Sequence, residues 1–360
     1  MNPDITKIIF YTDIHMNSQF TDFAKADGSD YTTDRFKIQI DTLKGIYDRA
    51  LEENAMVVFA GDMFHERTKV DINTFNKTYG VLNDFSSSSQ MAHDMKKVFL
   101  RGNHDSINES MGSPSSIDLF TNLPNAQVVS TPDVIEYGCV RLYMLPYSND
   151  NKLMKETINE WAQGLDSNFC NILVGHLGVD GSFGVGNRKI EGPFTVDDMH
   201  PEAFDQVYLG HYHARQNLAD NVSYGGSTIE NSFSDAGTEK GYDILSVSPD
   251  TPHNLDFQFV PSTAPKFVTA TTLEEAKKNL DDGNYVKLEG NATLQKSVTT
   301  LDDSLREHLR FTKLSDETKE VHIDSDRMDS PKQAVKAYVE EVDPTILEES
   351  LSCLNEALKG

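Results

Sequence analysis

Six short β-rich runs set the strongest limit on how this 360-residue chain can fold: IIFYTDIH, MVVFAGD, KKVFLRGNHD, VRLYMLPY, NFCNILVGH and DQVYLGHYH. Each is apolar on both faces and stops at a glycine or a polar cluster, the pattern of a strand covered on both sides. Between the first two runs, Phe36, Ile40, Leu43, Tyr47 and Leu51 recur at three- and four-residue steps, which predicts an amphipathic helix packed on a sheet. Asp71 to Phe85 reads the same way, with SSSSQ at 86–90 closing it as a polar loop. Strands alternating with helices over residues 1–262 predict an α/β sandwich.

Beyond Phe259 the pattern changes. VPSTAP reads as a linker, and Lys266 to about 325 mixes β-type runs (KFVTATT, YVKLEG, VHI) with helix-type runs (LEEAKKNL, DSLREHL), which predicts a small α+β appendage. Pro331 and Pro344 stand where two short helices would begin, and Leu347, Leu351, Leu354 and Leu358 form a stripe. That tail is either a hairpin folded on its own domain or an element that binds a partner. The predicted division is 1–262, 263–328 and 329–360. No internal repeat is visible.

The formal charge of −25 is spread along the chain, and no dense Lys/Arg cluster appears. A protein that holds nucleic acid unaided usually carries a basic face. Either the substrate is small, or cations and a partner help to recruit a polyanion. No apolar run approaches the roughly 18 residues of a membrane helix, and MNPDITK lacks a signal pattern. The expectation is a cytoplasmic protein with no membrane association. Cys139, Cys170 and Cys353 are too far apart for a zinc ribbon or redox pair and read as reduced thiols.

The chemistry lies at the strand ends. Five of the six runs finish in groups able to bind metal: Asp13 and His15, Asp62, Asn103 and His104, His176, and His211 and His213. In open α/β sheets ligands gather outside the carboxyl ends of strands, so all of these can converge on one crevice. Residues two apart on an extended backbone point the same way, so Asp13 and His15 can grip one cation, while His211 and His213 reach one site or two adjacent ones. A preceding glycine (Gly61, Gly102, Gly175 or Gly210) lets the backbone turn sharply and approach closely. Carboxylate, imidazole and amide together suit Mn²⁺, Fe or Zn²⁺ better than Ca²⁺. Taken singly, each is an ordinary turn or core residue; the ordered set DxH, GD, GNHD, GH, GHxH points to a two-metal site.

That order resembles the calcineurin-like metallophosphoesterase superfamily. GDMFHER, Gly61 to Arg67, carries a His three residues after the Asp and looks like the SbcD branch, the nuclease subunits of SbcCD complexes; YGGSTIENSFSDAGTEKGY, Tyr224 to Tyr242, is similar to the same branch. The resemblance implies a phosphoesterase β-sandwich flanked by helices, with a small α+β cap and a helical tail. It implies that Asp13, His15, Asp62 and His213 hold one divalent ion, most readily Mn²⁺, and that Asp62, Asn103, His176 and His211 hold the other. It also implies a DNA exonuclease and endonuclease, an SbcC-type coiled-coil ATPase as partner, and a homodimer.

Two cations lower the pKa of a shared water and neutralise charge on the phosphoryl oxygens. The departing alkoxide needs a proton, and His104 is the candidate general acid, with Asp105 as its orienting carboxylate. By resemblance, His65 would contact the phosphate or assist His104. Arg67 stands to neutralise a phosphate or simply to face solvent, and the glycine-rich stretch His176 to Gly192, with Arg188 and Lys189, would flank the DNA path. Two other readings compete: a phosphatase or cyclic-nucleotide phosphodiesterase using the same metals, favoured by the acidity, and a non-enzymatic acidic binding protein, opposed by the complete ligand set.

Overall fold

The structure is a computed structural model that describes residues 5–314 except 27, 29–32 and 185–187, together with nine positions between Lys332 and Leu354. The first half of the chain forms β1 (Thr6–Tyr11), α1 (Asp34–Glu53), β2 (Met56–Phe59), α2 (Ile72–Ser87), α3 (Gln90–Asp94), β3 (Lys97–Leu100), β4 (Ala126–Val129), β5 (Asp133–Tyr137), β6 (Val140–Leu145) and α4 (Asn151–Gln163). Then come β7 (Cys170–His176), β8 (Gln206–Gly210), β9 (Gln216–Ala219), β10 (Val222–Tyr224), β11 (Gly241–Val247) and β12 (Leu255–Pro261). The remainder holds β13 (Phe267–Ala270), α5 (Leu273–Asp281), β14 (Tyr285–Gly290), α6 (Ala292–Ser297), α7 (Asp303–Arg306) and β15 (Leu309–Lys313).

Two six-stranded sheets stack face to face. One runs β12-β11-β1-β2-β3-β4 and the other β5-β6-β7-β8-β10-β9. Strands β1 to β4 are parallel, as are β6, β7 and β8, so their carboxyl ends open on the same side of each sheet. Because side chains alternate along a strand, Ile8, Phe10, Val58 and Val98 of the first sheet meet Leu142, Met144, Ile172 and Val174 of the second in a dry inner layer. The opposite faces are covered by helices. Ile9, Tyr11, Val57 and Phe59 pack on Phe36, Leu43, Ile46 and Tyr47 of α1, and Tyr143, Leu173 and Val207 pack on Met154 and Ile158 of α4. All six expected runs contain a strand, and the double-sided burial explains why each reads as apolar throughout.

Capping fixes the helix limits. The Thr33 hydroxyl accepts from the Phe36 N–H at the start of α1, Asp71 accepts from the Asn73 and Thr74 N–H groups at the start of α2, and Asn54 in a left-handed conformation ends α1. The SSSSQ segment is shorter as a loop than its composition suggests. Ser86 turns its hydroxyl back onto the Leu82 carbonyl at 2.7 Å, keeping it helical to Ser87, and Ser89 caps α3.

Beyond the sandwich, β13, β14 and β15 form a parallel sheet with α5 against it and a small apolar core of Ala270, Ala276, Leu280, Val286 and Leu288. The VPSTAP segment begins inside β12, so the connection is only residues 262–266. Leu309–Lys313 is a strand where sequence patterning extended a helix-type run to Leu309; α7 stops at Arg306. The VHI run, Pro331, Pro344, Leu358 and Cys353 lie outside the described residues; Leu347, Leu351 and Leu354 are helical and half-buried. Cys139 and Cys170 are free thiols, Cys170 within the inter-sheet layer. Among the described residues no helix is long and apolar enough to cross a membrane.

Candidate metal centre

The loops leaving β1 and β2 run side by side: the Asp13 N–H donates to the Gly61 carbonyl at 2.9 Å, His15 to Asp62 at 3.2 Å and Met16 to Met63 at 2.7 Å. This extends the parallel ladder past the strand ends and places Asp13, His15 and Asp62 on one ledge. Their backbones are not relaxed. Asp13 (φ 51°), His15 (50°), Asp62 (63°) and His211 (105°) all lie in the left-handed region that side chains normally avoid. Such conformations persist only where the surroundings over-determine them, and here four gather at one crevice.

Two glycines make the approach possible. Gly61 has φ 106°, and a Cβ there would stand 2.2 Å from His176 Nδ1. At Gly102 a Cβ would stand 2.1 Å from Asp62 Oδ1 and 2.4 Å from its backbone nitrogen. Gly175, by contrast, packs on Leu177 and Leu209 within β7 and does not line the approach.

The side chains form two groups that share Asp62. In the first, His15 Nε2 lies 2.9 Å from His213 Nε2, 3.9 Å from Asp13 Oδ1 and 3.8 Å from Asp62 Oδ2, with His213 Nε2 4.0 Å from Asp13 Oδ1. In the second, His176 Nε2 lies 3.4 Å from Asp62 Oδ2 and 3.1 Å from Asn103 Oδ1, and His211 Nδ1 lies 3.0 Å from the same amide oxygen. Every metal-capable residue expected from the strand ends is therefore in the cluster.

This donor set suits a divalent cation. Among the described residues Asp13 Oδ1 is buried with no hydrogen-bond partner, although it faces two imidazoles, and an unpaired buried carboxylate oxygen is costly unless a cation satisfies it. Ligands about 2.1 Å from a common ion stand roughly 3 to 4 Å apart, the spacing found here. Charge makes the same point. Burial opposes an imidazolium at His176, yet the charge and hydrogen bond of Asp62 outweigh it and lift the pKa to about 9. A proton thus balances Asp62 where a metal could. His211, buried beside His176, is pushed down to about 3 and presents a neutral ring.

The rings are aimed from behind. His176 Nδ1 donates to the Ala60 carbonyl at 2.8 Å, turning Nε2 inward. His213 Nδ1 donates to Asp235 Oδ1 at 2.8 Å, and the Lys240 ammonium donates to the His213 carbonyl at 2.6 Å. Asp235 is buried, and although burial raises its pKa, the His213 bond and charge bring it down to about 2. Carboxylate and histidine paired in this way fix tautomer and ring orientation. Asp235 and Lys240 were not singled out by sequence; their signal was the segment Tyr224 to Tyr242 that contains both.

His104 stands at the rim, its ring 4.7 Å from that of His15, its backbone N–H donating to Asp62 Oδ1 at 2.8 Å. Its Nδ1 donates to the His65 carbonyl at 2.6 Å, which leaves Nε2 for the crevice. Asp105 does not orient it, and that expectation is corrected. The Asp105 carboxylate instead accepts backbone N–H groups from Asp62 (2.9 Å), Gly102 (3.0 Å), Met63 (2.8 Å) and Phe64 (3.4 Å). Four donors in one place outcompete a neighbouring ring, so Asp105 binds the two loops together. The His65 ring sits between Phe20 (4.9 Å) and His15 (5.6 Å), its pKa lowered by burial and by His104. Arg67 is exposed and paired with Glu109 at 3.5 Å. Arg188 and Lys189 are exposed at the end of their loop.

A groove of about 470 Å³ opens beside His211 and His213, walled by Tyr212, Ala214, Ile190 and Thr238. A cavity of about 380 Å³ between α1 and β11–β12 contains none of the cluster residues.

The sequence model of the calcineurin-like phosphoesterases matches residues 6–215, more than half the chain. The chain belongs to that family. It is a metal-dependent phosphoesterase, a hydrolase, and the cluster lies within the matched region except for Asp235 and Lys240. Two curated relatives narrow the likeness. A protein of Staphylococcus saprophyticus, named as the SbcD component of the nuclease SbcCD, is 27% identical over 312 residues, covering 79% of this chain and 74% of the relative. One of the same name from Staphylococcus epidermidis is 23% identical over 265 residues, covering 67% and 66%. This calcineurin-like phosphoesterase is thus of the SbcD type.

Proposed function

We propose that the chain is a Mn²⁺-dependent DNA nuclease, acting on duplex ends and on single strands or hairpins, in the cytoplasm, as a homodimer and with an SbcC-type ATPase. The observation that carries this reading is the pair of donor groups sharing Asp62, together with similarity to proteins named as components of the nuclease SbcCD. Asp13, His15, Asp62 and His213 would hold one ion, and Asp62, Asn103, His176 and His211 the other. The division at 262 and 328 belongs to the same proposal, with the tail as the docking element.

When bound, two divalent ions supply an activated water and neutralise charge on the phosphoryl oxygens. The chain's own groups do the rest. His104, as an imidazolium, would give its Nε2 proton to the leaving alkoxide as general acid, and the His65 carbonyl holds the Nδ1–H of the neutral ring left behind. Asp105 keeps the Asp62 and Gly102 loops in register, so Asn103 and Asp62 hold their spacing. His65, its ring packed on Phe20, would contact the phosphate or assist His104.

The test is hydrolysis of an end-labelled linear duplex by the full chain with Mn²⁺, beside a His104→Ala variant, a chelated control and a small phosphodiester. Metal-dependent shortening that falls by about 10²-fold or more in the variant supports the reading. Hydrolysis of the small diester with the duplex intact, even with an SbcC-type partner added, would instead assign a small substrate to the same metals.

A further inference from the structure

Behind His213 a chain of buried polar groups leads away from the crevice and ends under the three-stranded sheet. His213 donates to one Asp235 oxygen, and the other accepts the Asn231 N–H at 2.9 Å. The Asn231 carbonyl accepts from Arg35 Nη2 at 2.6 Å, while its side-chain oxygen accepts from Gln39 Nε2 at 3.3 Å. Gln39 also donates to the His15 carbonyl at 2.8 Å, so the same residue holds the backbone that carries the other imidazole of the first donor group. Gln39, Asn231 and Asp235 are at most 8% exposed, and so is Arg35, where the chain ends.

Arg35 is one of the points of contact with the appendage, and the one that touches the Asn231 carbonyl. Its guanidinium lies over the rings of Phe20 (4.5 Å), Phe267 (5.2 Å) and Tyr285 (5.6 Å), the last two belonging to β13 and β14. Residue 230, next to Asn231, is tied to the same place: Glu230 accepts the Phe267 N–H at 2.6 Å. Phe267 and Tyr285 also bury Phe23 from the sandwich side. The sheet β13-β14-β15 therefore presses on the two residues, Arg35 and Glu230, that flank the Asn231–Asp235 support.

We propose that Asp235 and Arg35 are positioning residues for the metal centre, and that packing of the three-stranded sheet on Arg35 sets the orientation of His213 through Asn231 and Asp235. This rests on His213 being a ligand. The pieces are directional: hydrogen bonds to both Asp235 oxygens fix its plane, and the plane fixes the ring. Moving Arg35 removes the partner of the Asn231 carbonyl, and the shift reaches His213 through two bonds without any loss of donor atoms. Lys240 holds the His213 backbone, and the ring, which borders the open groove, has Asp235 as the partner that fixes its rotation.

The experiment compares full-length wild type with Asp235→Asn, Arg35→Met and His213→Ala, reading Mn²⁺ affinity and stoichiometry by calorimetry and by paramagnetic resonance of bound Mn²⁺, with melting temperatures of the metal-free proteins alongside. Arg35→Lys serves as the conservative rescue. The expected result is one weak Mn²⁺ site in Asp235→Asn and in Arg35→Met, each about tenfold or more weaker than wild type, with Arg35→Lys recovering part of the affinity. A purely structural role would lower the melting temperature and leave metal affinity within about twofold, and that result overturns the proposal. If His213→Ala keeps both ions at wild-type affinity, His213 is not a ligand and the reading beneath the proposal fails. If His213→Ala loses an ion while the other two variants do not, only the positioning proposal fails.

Discussion

Replacing Asp105 by asparagine separates two roles for this residue. In the structure Oδ2 accepts from the Asp62 and Gly102 N–H groups and Oδ1 from Met63 and Phe64, with the side chain fully buried. The amide introduced by Asp105→Asn keeps one acceptor oxygen and turns an NH₂ group toward the other pair, so two buried N–H groups lose their partner. Each orphaned donor costs about 1–3 kcal/mol. Part of this is offset, because burial and the nearby Asp62 charge push the Asp105 carboxyl up to about 7, so the ionised form is itself costly here. The net loss expected is about 2–4 kcal/mol, roughly 5–10 °C in Tm for a domain of this size. Urea unfolding followed by circular dichroism measures it, with Mn²⁺ affinity read in parallel, since Asp62 and Gly102 shift together. An Asp105 that merely oriented His104 would behave oppositely: hydrolysis would fall tenfold or more, with stability and metal affinity unchanged. That second pattern would refute the stapling role.

Gly102→Ala forces a Cβ against Asp62; we expect metal-dependent hydrolysis to fall by at least about 10²-fold and Tm to drop, measured on the same samples. Mn²⁺ at about 100 times its Kd should raise unfolding free energy by about 2.7 kcal/mol, seen as a Tm shift that a chelator reverses and that shrinks in Asp62→Asn. The Asp34 carboxyl, which burial would raise, is held below its usual value by the His308 bond at 2.6 Å and by the Lys25 N–H. A depressed acid contributes stability above its unfolded pKa that is lost as pH falls through the folded one. Asp34→Asn should therefore cost about 1 kcal/mol near neutrality, with the difference from wild type closing as pH falls below the ordinary aspartate range and through the depressed folded value, as urea titrations at several pH values would measure.

The strands and the clustering of the metal-capable residues were legible because both follow short-range rules. A strand covered on two faces is apolar residue after residue, and the ligands stand directly after such runs. Other strands were missed: β11 and β12 alternate or mix their burial, with Asp256 and Gln258 exposed beside half-buried neighbours, and β9 and β10 are only four and three residues long. What supports the site was not legible, for the opposite reason. Asp235 lies 22 residues from His213, and Arg35 meets Asn231 across 196. Asp105 misled because adjacency to His104 suggested a pair, whereas the bend over Asn103 to Asp105 turns its carboxylate toward the loop after β2. Spacing reports which groups share a strand end; it does not report which backbone N–H groups fold back upon them.

The acidic balance of the chain decides less about the site than its sum suggests. Exposed charges beyond about 8 Å are largely screened at physiological salt, so the carboxylates that matter to a phosphate are Asp13 and Asp62, both nearly inaccessible. Nearby cations are already engaged: Lys240 on the His213 carbonyl, Arg215 bidentate on Asp243 at 2.6 and 2.7 Å, and Arg67 on Glu109. A phosphodiester entering the crevice thus finds no spare guanidinium or ammonium among these residues, and two buried carboxylates with the polarity opposite to what it needs. The same carboxylates, converging with imidazoles of which His15 and His211 are held neutral by burial, are what a divalent cation needs. On the proposed function, the chain's attraction for an anionic substrate at this point is supplied chiefly by metal binding, which makes the geometry of the proposed ligands, and of the residues that hold them, the quantity on which recognition and chemistry both depend.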